Sequence, residues 1–218
     1  MSSVSSSTPR SDEPALLPIG RPLPGNAEPV ERADAARNRA LLLDAAQQLV
    51  REHGVDSLTM DALAKRAGVG KGTVFRRFGN RTGLMLALLD HSEQKFQAAF
   101  MFGPPPLGPA AAPVDRLIAF GRTRLQNIAI EGDLHRAAEA KGRFGAGPFA
   151  LHKAHVVLLL RAAGVDGELP LIADTLLSAL SAELVTHQID ILGHTRAQLG
   201  DNWEWLVRRV VSPVAHVE

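Results

Sequence analysis

The 218-residue chain contains no cysteine and no tyrosine, and aromatic residues make up only 5% of it. Without cysteine there is no disulfide framework, no Cys-ligated zinc and no thiol nucleophile. Net charge is nearly absent as well, at +1, so the total points to no class of partner. Long apolar runs are also missing. The densest, Val156–Ala163, is interrupted by Arg161 and falls well short of the ~20 residues a membrane helix needs. The first residues hold no apolar core of a secretory signal. A cytoplasmic protein with no membrane association is expected. No nucleophile–base pair or carboxylate dyad stands out, so no catalytic residues, no metal and no cofactor are assigned.

What is present is 45% hydrophobic and 22% charged residues, the balance of a globular fold. Residues 1–30 carry six serines and six prolines. Proline removes backbone donors at that spacing, and the segment has too little apolar surface to offset ordering, so a disordered tail is expected there. From Glu31 to Gly103 there is no proline, and the Ala/Leu-rich sequence favours helices. Leu42, Ala45, Ala46, Leu49 and Val50 form one apolar helical face, which His53-Gly54 can terminate. Thr59 can cap a short helix with Met60, Leu63, Ala64 and Ala67 inward. Gly68 closes that helix, Gly70 opens a third ending near Phe78, and Asn80 can cap a fourth running towards Phe100.

Beyond Pro104-Pro105-Pro106 the pattern stays helical. Pro113 opens a helix through Leu117, Phe120 and Ile128, and a separate short piece covers Leu134–Ala140. Pro148 starts a helix that Gly164 stops. Two final helices follow, roughly Pro170–Leu192 and Ala197–Val211. No segment alternates at period two with β-branched residues, so the fold class is all-α.

Charge is unevenly placed. Lys65, Arg66, Lys71, Arg76, Arg77 and Arg81 put six positive charges on the seventeen residues from Lys65 to Arg81, with no acid among them. Such a stripe suits a nucleic-acid reader, although a merely solvated basic face has the same composition. Its sequence context is Thr59–Phe78, TMDALAKRAGVGKGTVFRRF. A short helix, a glycine turn and a second helix with a basic outer face make a helix-turn-helix. Leu63, Ala64, Val69, Val74 and Phe78 can pack it on the Leu42/Ala46/Leu49 face. The segment Ala67–Thr73 is no phosphate loop, because Gly72 separates Lys71 from the threonine and no strand precedes it.

At these residues the chain resembles the TetR family of bacterial transcriptional regulators. The resemblance runs from about Arg39 to Leu84 through Leu42–Ala46, Gly54, Leu58-Thr59, Ala64–Val69, Lys71–Phe75, Phe78, Asn80-Arg81 and Leu84. Two positions depart from the family pattern: Gly70 stands where Ser or Thr is usual, and Phe75 stands where Tyr is usual. The resemblance implies an N-terminal three-helix head with the helix-turn-helix (residues 31–84) and a C-terminal helical body for ligand binding and dimerisation (residues 85–218).

On this reading the protein is a DNA-binding transcriptional regulator, a repressor released from its operator by a small molecule. Lys71, Thr73, Arg76 and Arg77 are expected to face the groove. Gly72 leaves the groove unobstructed, Phe75 lies beside them, and Thr59 and Arg81 lie near phosphates. The partners are double-stranded operator DNA and a second copy of the chain. The dimer is expected to form through the last two helices, including Leu177, Leu180, Leu184, Trp203 and Leu206. For an unknown small hydrophobic ligand the candidates are Phe120, Phe144, Phe149, His152 and His187. His135, His155, His194, Glu131, Asp133 and Asp190 show no metal-ligand spacing. The rival reading is a helical small-molecule or metal-binding protein, or an enzyme, with a helix-turn-helix-like head.

Overall fold

The structure, a computed structural model, describes residues 29–139 and 147–212. Apart from Pro29 and Val30, the tail expected over residues 1–30 lies outside them. Helix α1 spans Pro29–His53 and a 3-10 turn follows at Val55–Ser57. Then come α2 (Met60–Ala67), α3 (Lys71–Phe78), α4 (Arg81–Phe102), α5 (Pro113–Glu139) and α6 (Gly147–Ala162). The chain continues with α7 (Leu169–Ala179), α8 (Ala182–Asp190) and α9 (Arg196–Val211). The described residues contain helices and no strand.

The side chains form two cores. Leu42, Leu43, Ala46 and Leu49 of α1 close on Leu63, Val74, Phe78, Leu84 and Leu88 to make the head. Phe96 and Phe100, later on α4, join Phe120, Ile128, Val156, Leu160, Leu177 and Trp203 in the body. Between the two, polar groups tie α4 to α1. Asp44 Oδ1 lies 2.8 Å from His91 Nε2 and accepts from Lys95 Nζ at 3.0 Å. The buried Gln47 amide donates to Ser92 Oγ at 3.1 Å. The bond from His91, reinforced by Lys95, holds the Asp44 carboxyl below the usual carboxylate range.

Two boundaries differ from the sequence expectation. The helix opened by Pro113 does not stop before Leu134 but runs on to Glu139. The helix expected over Pro170–Leu192 is broken at Leu180-Ser181. The break is stabilised from both sides: the Ser181 hydroxyl accepts from the Leu184 N–H at 3.4 Å, and Arg124 Nε donates to the Leu180 carbonyl at 3.2 Å. Leu169–Asp190 also has the length and apolar composition of a membrane span. It folds as helices of 11 and 9 residues, each shorter than the ~20 residues that cross a bilayer.

The body is organised by the approach of α9 to α5. Trp203 is buried on α5, and its Nε1 donates to the Leu117 and Ile118 carbonyls at 3.1 and 3.2 Å. Those carbonyls are reachable because position 121 has no side chain: a Cβ on Gly121 would lie 2.0 Å from Trp203 Cε2. At the rim Arg122 pairs with Asp201 at 2.8 Å and with Glu204 at 2.9 Å.

Gly121→Ala gains up to ~1 kcal/mol of helix propensity but overpacks the indole. The expected net result is a loss of about 2 kcal/mol. Urea unfolding of the variant checks this, and an unchanged midpoint would show that α9 yields freely.

Candidate nucleic-acid interface

The head builds its surface from caps and turns written locally in the sequence. The Thr59 hydroxyl accepts from the Ala62 N–H at 3.0 Å and starts α2. Gly68 ends α2 at φ 65°, left-handed backbone that a side chain would disfavour. The Val69 N–H then reaches back to the Ala64 carbonyl at 3.1 Å. Gly70 opens α3 without a side-chain cap, and the Asn80 side chain opens α4 by accepting from the Gly83 N–H at 2.8 Å.

Helix α3 buries Val74 and Phe78 against the head and leaves Lys71, Gly72, Phe75 and Arg76 exposed. Gly72, Phe75 and Arg76 follow one another at helical spacing on a single outward face. Thr73 and Arg77 are half-buried at its edge. Lys71, Gly72, Thr73, Phe75 and Arg76 therefore lie on or beside one surface of α3, while Thr59 is exposed at the start of α2.

Several of the positive charges are already engaged. Arg66 grips Glu52 with a two-pronged fork at 2.6 and 2.7 Å, which holds that carboxyl below the usual range. Lys71 pairs with Asp61 at 2.8 Å and lies 5.7 Å from the centre of the Phe75 ring. Arg77 Nη1 donates to the Ala35 carbonyl of α1 at 2.6 Å. Arg81 donates to the Leu58 and Val55 carbonyls. Lys65 and Arg76 make no ion pair or hydrogen bond among the described residues. Sequence reasoning counts these charges alike, because partners distant in the chain are invisible to it.

In the body the structure brings Phe120 and His152 together, with Phe149 at the edge of the same core, while His187 lies apart from them on the surface. The Phe120 ring packs on Phe96 at 5.0 Å between centroids, on Phe100 at 5.6 Å and on His152 at 5.5 Å. His155 stacks on Phe100 at 4.3 Å. Phe149 is half-buried at the edge of this core. Phe144 lies outside the described residues. His187 is exposed on α8, because the break at Ser181 starts a new helix there. Phe96, Phe100 and Glu93, on one face of α4 at helical spacing, complete this cluster, and no spacing in the sequence ties that face to α5 or α6.

Glu93 Oε1 lies 2.8 Å from His152 Nε2. Burial pushes the Glu93 carboxyl up, but contacts with His152, Gln97 and Arg124 together hold it below its usual value. Burial is also the main influence on His155, and with Arg116 and His152 nearby its imidazole drops to about 4. No three metal-ligating side chains lie together among the described residues.

The expected dimer residues divide. Leu177, Leu180 and Trp203 are inside their own chain, at 4%, 1% and 2% exposure, so they cannot face a partner. The break at Ser181 and the Gly121 approach turn them inward. Leu206 is half-buried. Leu184 at 40% is exposed, as are Ile191 of the same apolar stripe and, outside the expected set, Leu192 and Trp205.

Comparison with known proteins follows the same division. Residues 42–88 match the family model of bacterial regulatory proteins, tetR family. An HTH-type transcriptional regulator of Staphylococcus aureus (strain bovine RF122 / ET3-1) is 32% identical over 69 residues, covering 32% of this chain and 37% of that protein. Another, from strain USA300, is 38% identical over 53 residues, covering 24% and 29%. The chain thus spans about a third of the length of the curated relatives it matches. Among solved structures, the TetR transcriptional regulator SCO0520 of Streptomyces coelicolor superposes with a TM-score of 0.57 at 23% identity, over 81% of this chain and 99% of that one. SmeT, the repressor of the Stenotrophomonas maltophilia multidrug efflux pump SmeDEF, gives 0.54 at 17% identity, over 83% and 95%. At these identities the likeness is one of fold.

The buried imidazole gives the body a pH signature. Between pH 6.5 and about 4 the unfolded chain binds a proton at His155 that the folded protein refuses. Stability is therefore full above pH 6.5 and falls as pH drops towards 4, by about 1–2 kcal/mol after allowing for the partial exposure of the ring. His155→Phe should flatten the wild-type slope in this window when urea midpoints are compared across pH. An equal slope in both proteins would assign it to other groups.

Proposed function

We infer that this chain, whose residues 42–88 belong to the tetR family of bacterial regulatory proteins, is a cytoplasmic transcriptional regulator that binds operator DNA as a dimer. The observation that carries the reading is the outward face of α3. It is exposed and carries Lys71 and Arg76, and the side-chain caps that start α2 and α4 fix the helices on either side of it. Arg76 is the base reader on this proposal, since a guanidinium suits two-pronged contact with guanine. Lys71, Gly72, Thr73 and Phe75 line the groove beside it, and Thr59 sits at the phosphate edge. Arg77 and Arg81, engaged with backbone carbonyls, take part through the shape of the head.

The division between head and body belongs inside α4, between Leu88 and Phe96, since each joins a different core. The exposed apolar residues Leu184, Ile191, Leu192 and Trp205 of α8, the turn after it and α9 support a two-fold contact between copies. The effector proposed for the body is largely hydrophobic with one or two hydrogen-bonding groups, in keeping with the apolar and imidazole side chains around Phe120 and His152. Such an effector acts as an inducer only by binding the DNA-incompetent arrangement more tightly. Repression is the sign of regulation proposed, as in SmeT.

A duplex selected from a random pool should bind tightly, a scrambled one weakly, and both should weaken steeply with salt. Arg76→Ala should cost about 1–3 kcal/mol on the selected duplex in gel-shift titrations. Equal affinity for selected and scrambled DNA would end the sequence-specific reading.

Leu184→Arg should place a charge in the contact between copies and yield monomers with much weaker operator binding. Sedimentation of both proteins at micromolar concentration decides this, and a monomeric wild type would count against the dimer.

A further inference from the structure

Arg81 is the first residue of α4, where the positive end of the helix dipole disfavours a cation. Something must offset that cost, and the head supplies it. Nε of Arg81 donates to the Leu58 carbonyl at 2.8 Å, Nη2 donates to the Val55 carbonyl at 3.0 Å, and Asp56 Oδ1 lies 3.9 Å from Nη2. Both carbonyls belong to the turn that joins α1 to α2. The turn closes on itself through the Leu58 N–H to the Val55 carbonyl at 3.0 Å. Leu58 is fully buried, and Thr59, the next residue, caps α2. The body touches the same turn, since α5 packs against it.

We propose that Arg81 is a positioning residue for DNA recognition: it clasps the Val55–Leu58 turn to the start of α4, fixing the angle at which α3 is presented, and its charge is not engaged with phosphate. The proposal rests on the reading that the head binds DNA, and it assigns this arginine a role other than the phosphate contact its sequence position suggests. A planar fork with donors in fixed directions holds two carbonyls at once, whereas a lysine ammonium keeps the charge and loses that geometry. A clasp and a phosphate contact therefore respond oppositely to the conservative substitution.

The test uses the full chain and a duplex selected by the wild type, with affinity measured across a range of salt for wild type, Arg81→Lys, Arg81→Gln and, as reference, Arg76→Ala. The clasp predicts that Arg81→Lys loses roughly tenfold in affinity at every salt concentration, with the salt slope of both Arg81 variants equal to that of wild type. It also predicts that the Arg81 Nε–H nitrogen signal of labelled wild type exchanges slowly in the free protein and stays unmoved when DNA is added. Arg81→Lys binding within about twofold of wild type would overturn the proposal. So would a slope flattened by about 0.9 per protomer in Arg81→Gln. If the lysine variant fails to fold, the wild-type signal decides: a shift on adding DNA overturns the clasp. A wild type that enriches no duplex sinks the DNA reading and this proposal together, whereas a flattened slope with selectivity intact sinks the proposal alone.

Discussion

Leu84 and Leu88 of α4 are closed into the head core, and Phe96 and Phe100 of the same helix are closed into the body core. A single uninterrupted helix thus carries side chains into both cores, and no proline or glycine lies between Leu84 and Phe100 to bend it. The stretch joining them is pinned on two sides. His91, Ser92 and Lys95 hold α1 through Asp44 and Gln47, and Glu93 meets His152 on α6. The head cannot turn relative to the body without moving this helix or breaking these contacts. Close-packed cores favour discrete rearrangement over gradual bending.

The head was legible because its determinants are local. Thr59 and Asn80 cap as their types and positions suggest, Gly68 adopts the conformation its turn requires, and the apolar face of α1 packs as its spacing indicates. The caps and the glycine turn are decided within a few residues, and the apolar face of α1 within a single helix. The body was less legible. At Leu180-Ser181 the break carries only a weak local signal, the capping serine, because no proline or glycine stands there. The carbonyl the break releases is satisfied by Arg124, far away in sequence.

An apolar stripe states that a helix must be covered and is silent about what covers it. Leu177, Leu180 and Trp203 therefore suit partner contacts by their spacing, although their own chain encloses them. The same limit applies to charge. Arg66, Arg76, Arg77 and Arg81 look equivalent along the sequence, yet Arg76 alone among them lacks a hydrogen-bond or ion-pair partner among the described residues.

The pairing of Lys71 with Asp61 bears on how a DNA reader travels. A lysine 2.8 Å from an exposed carboxylate has part of its attraction for a polyanion offset, and the carboxylate itself repels a phosphate backbone. Contacts without sequence content are the ones that slow a search, since they lengthen each stay on irrelevant DNA. On the proposed DNA-binding reading, this built-in counterion weakens contact with irrelevant sites and favours short hops over long slides.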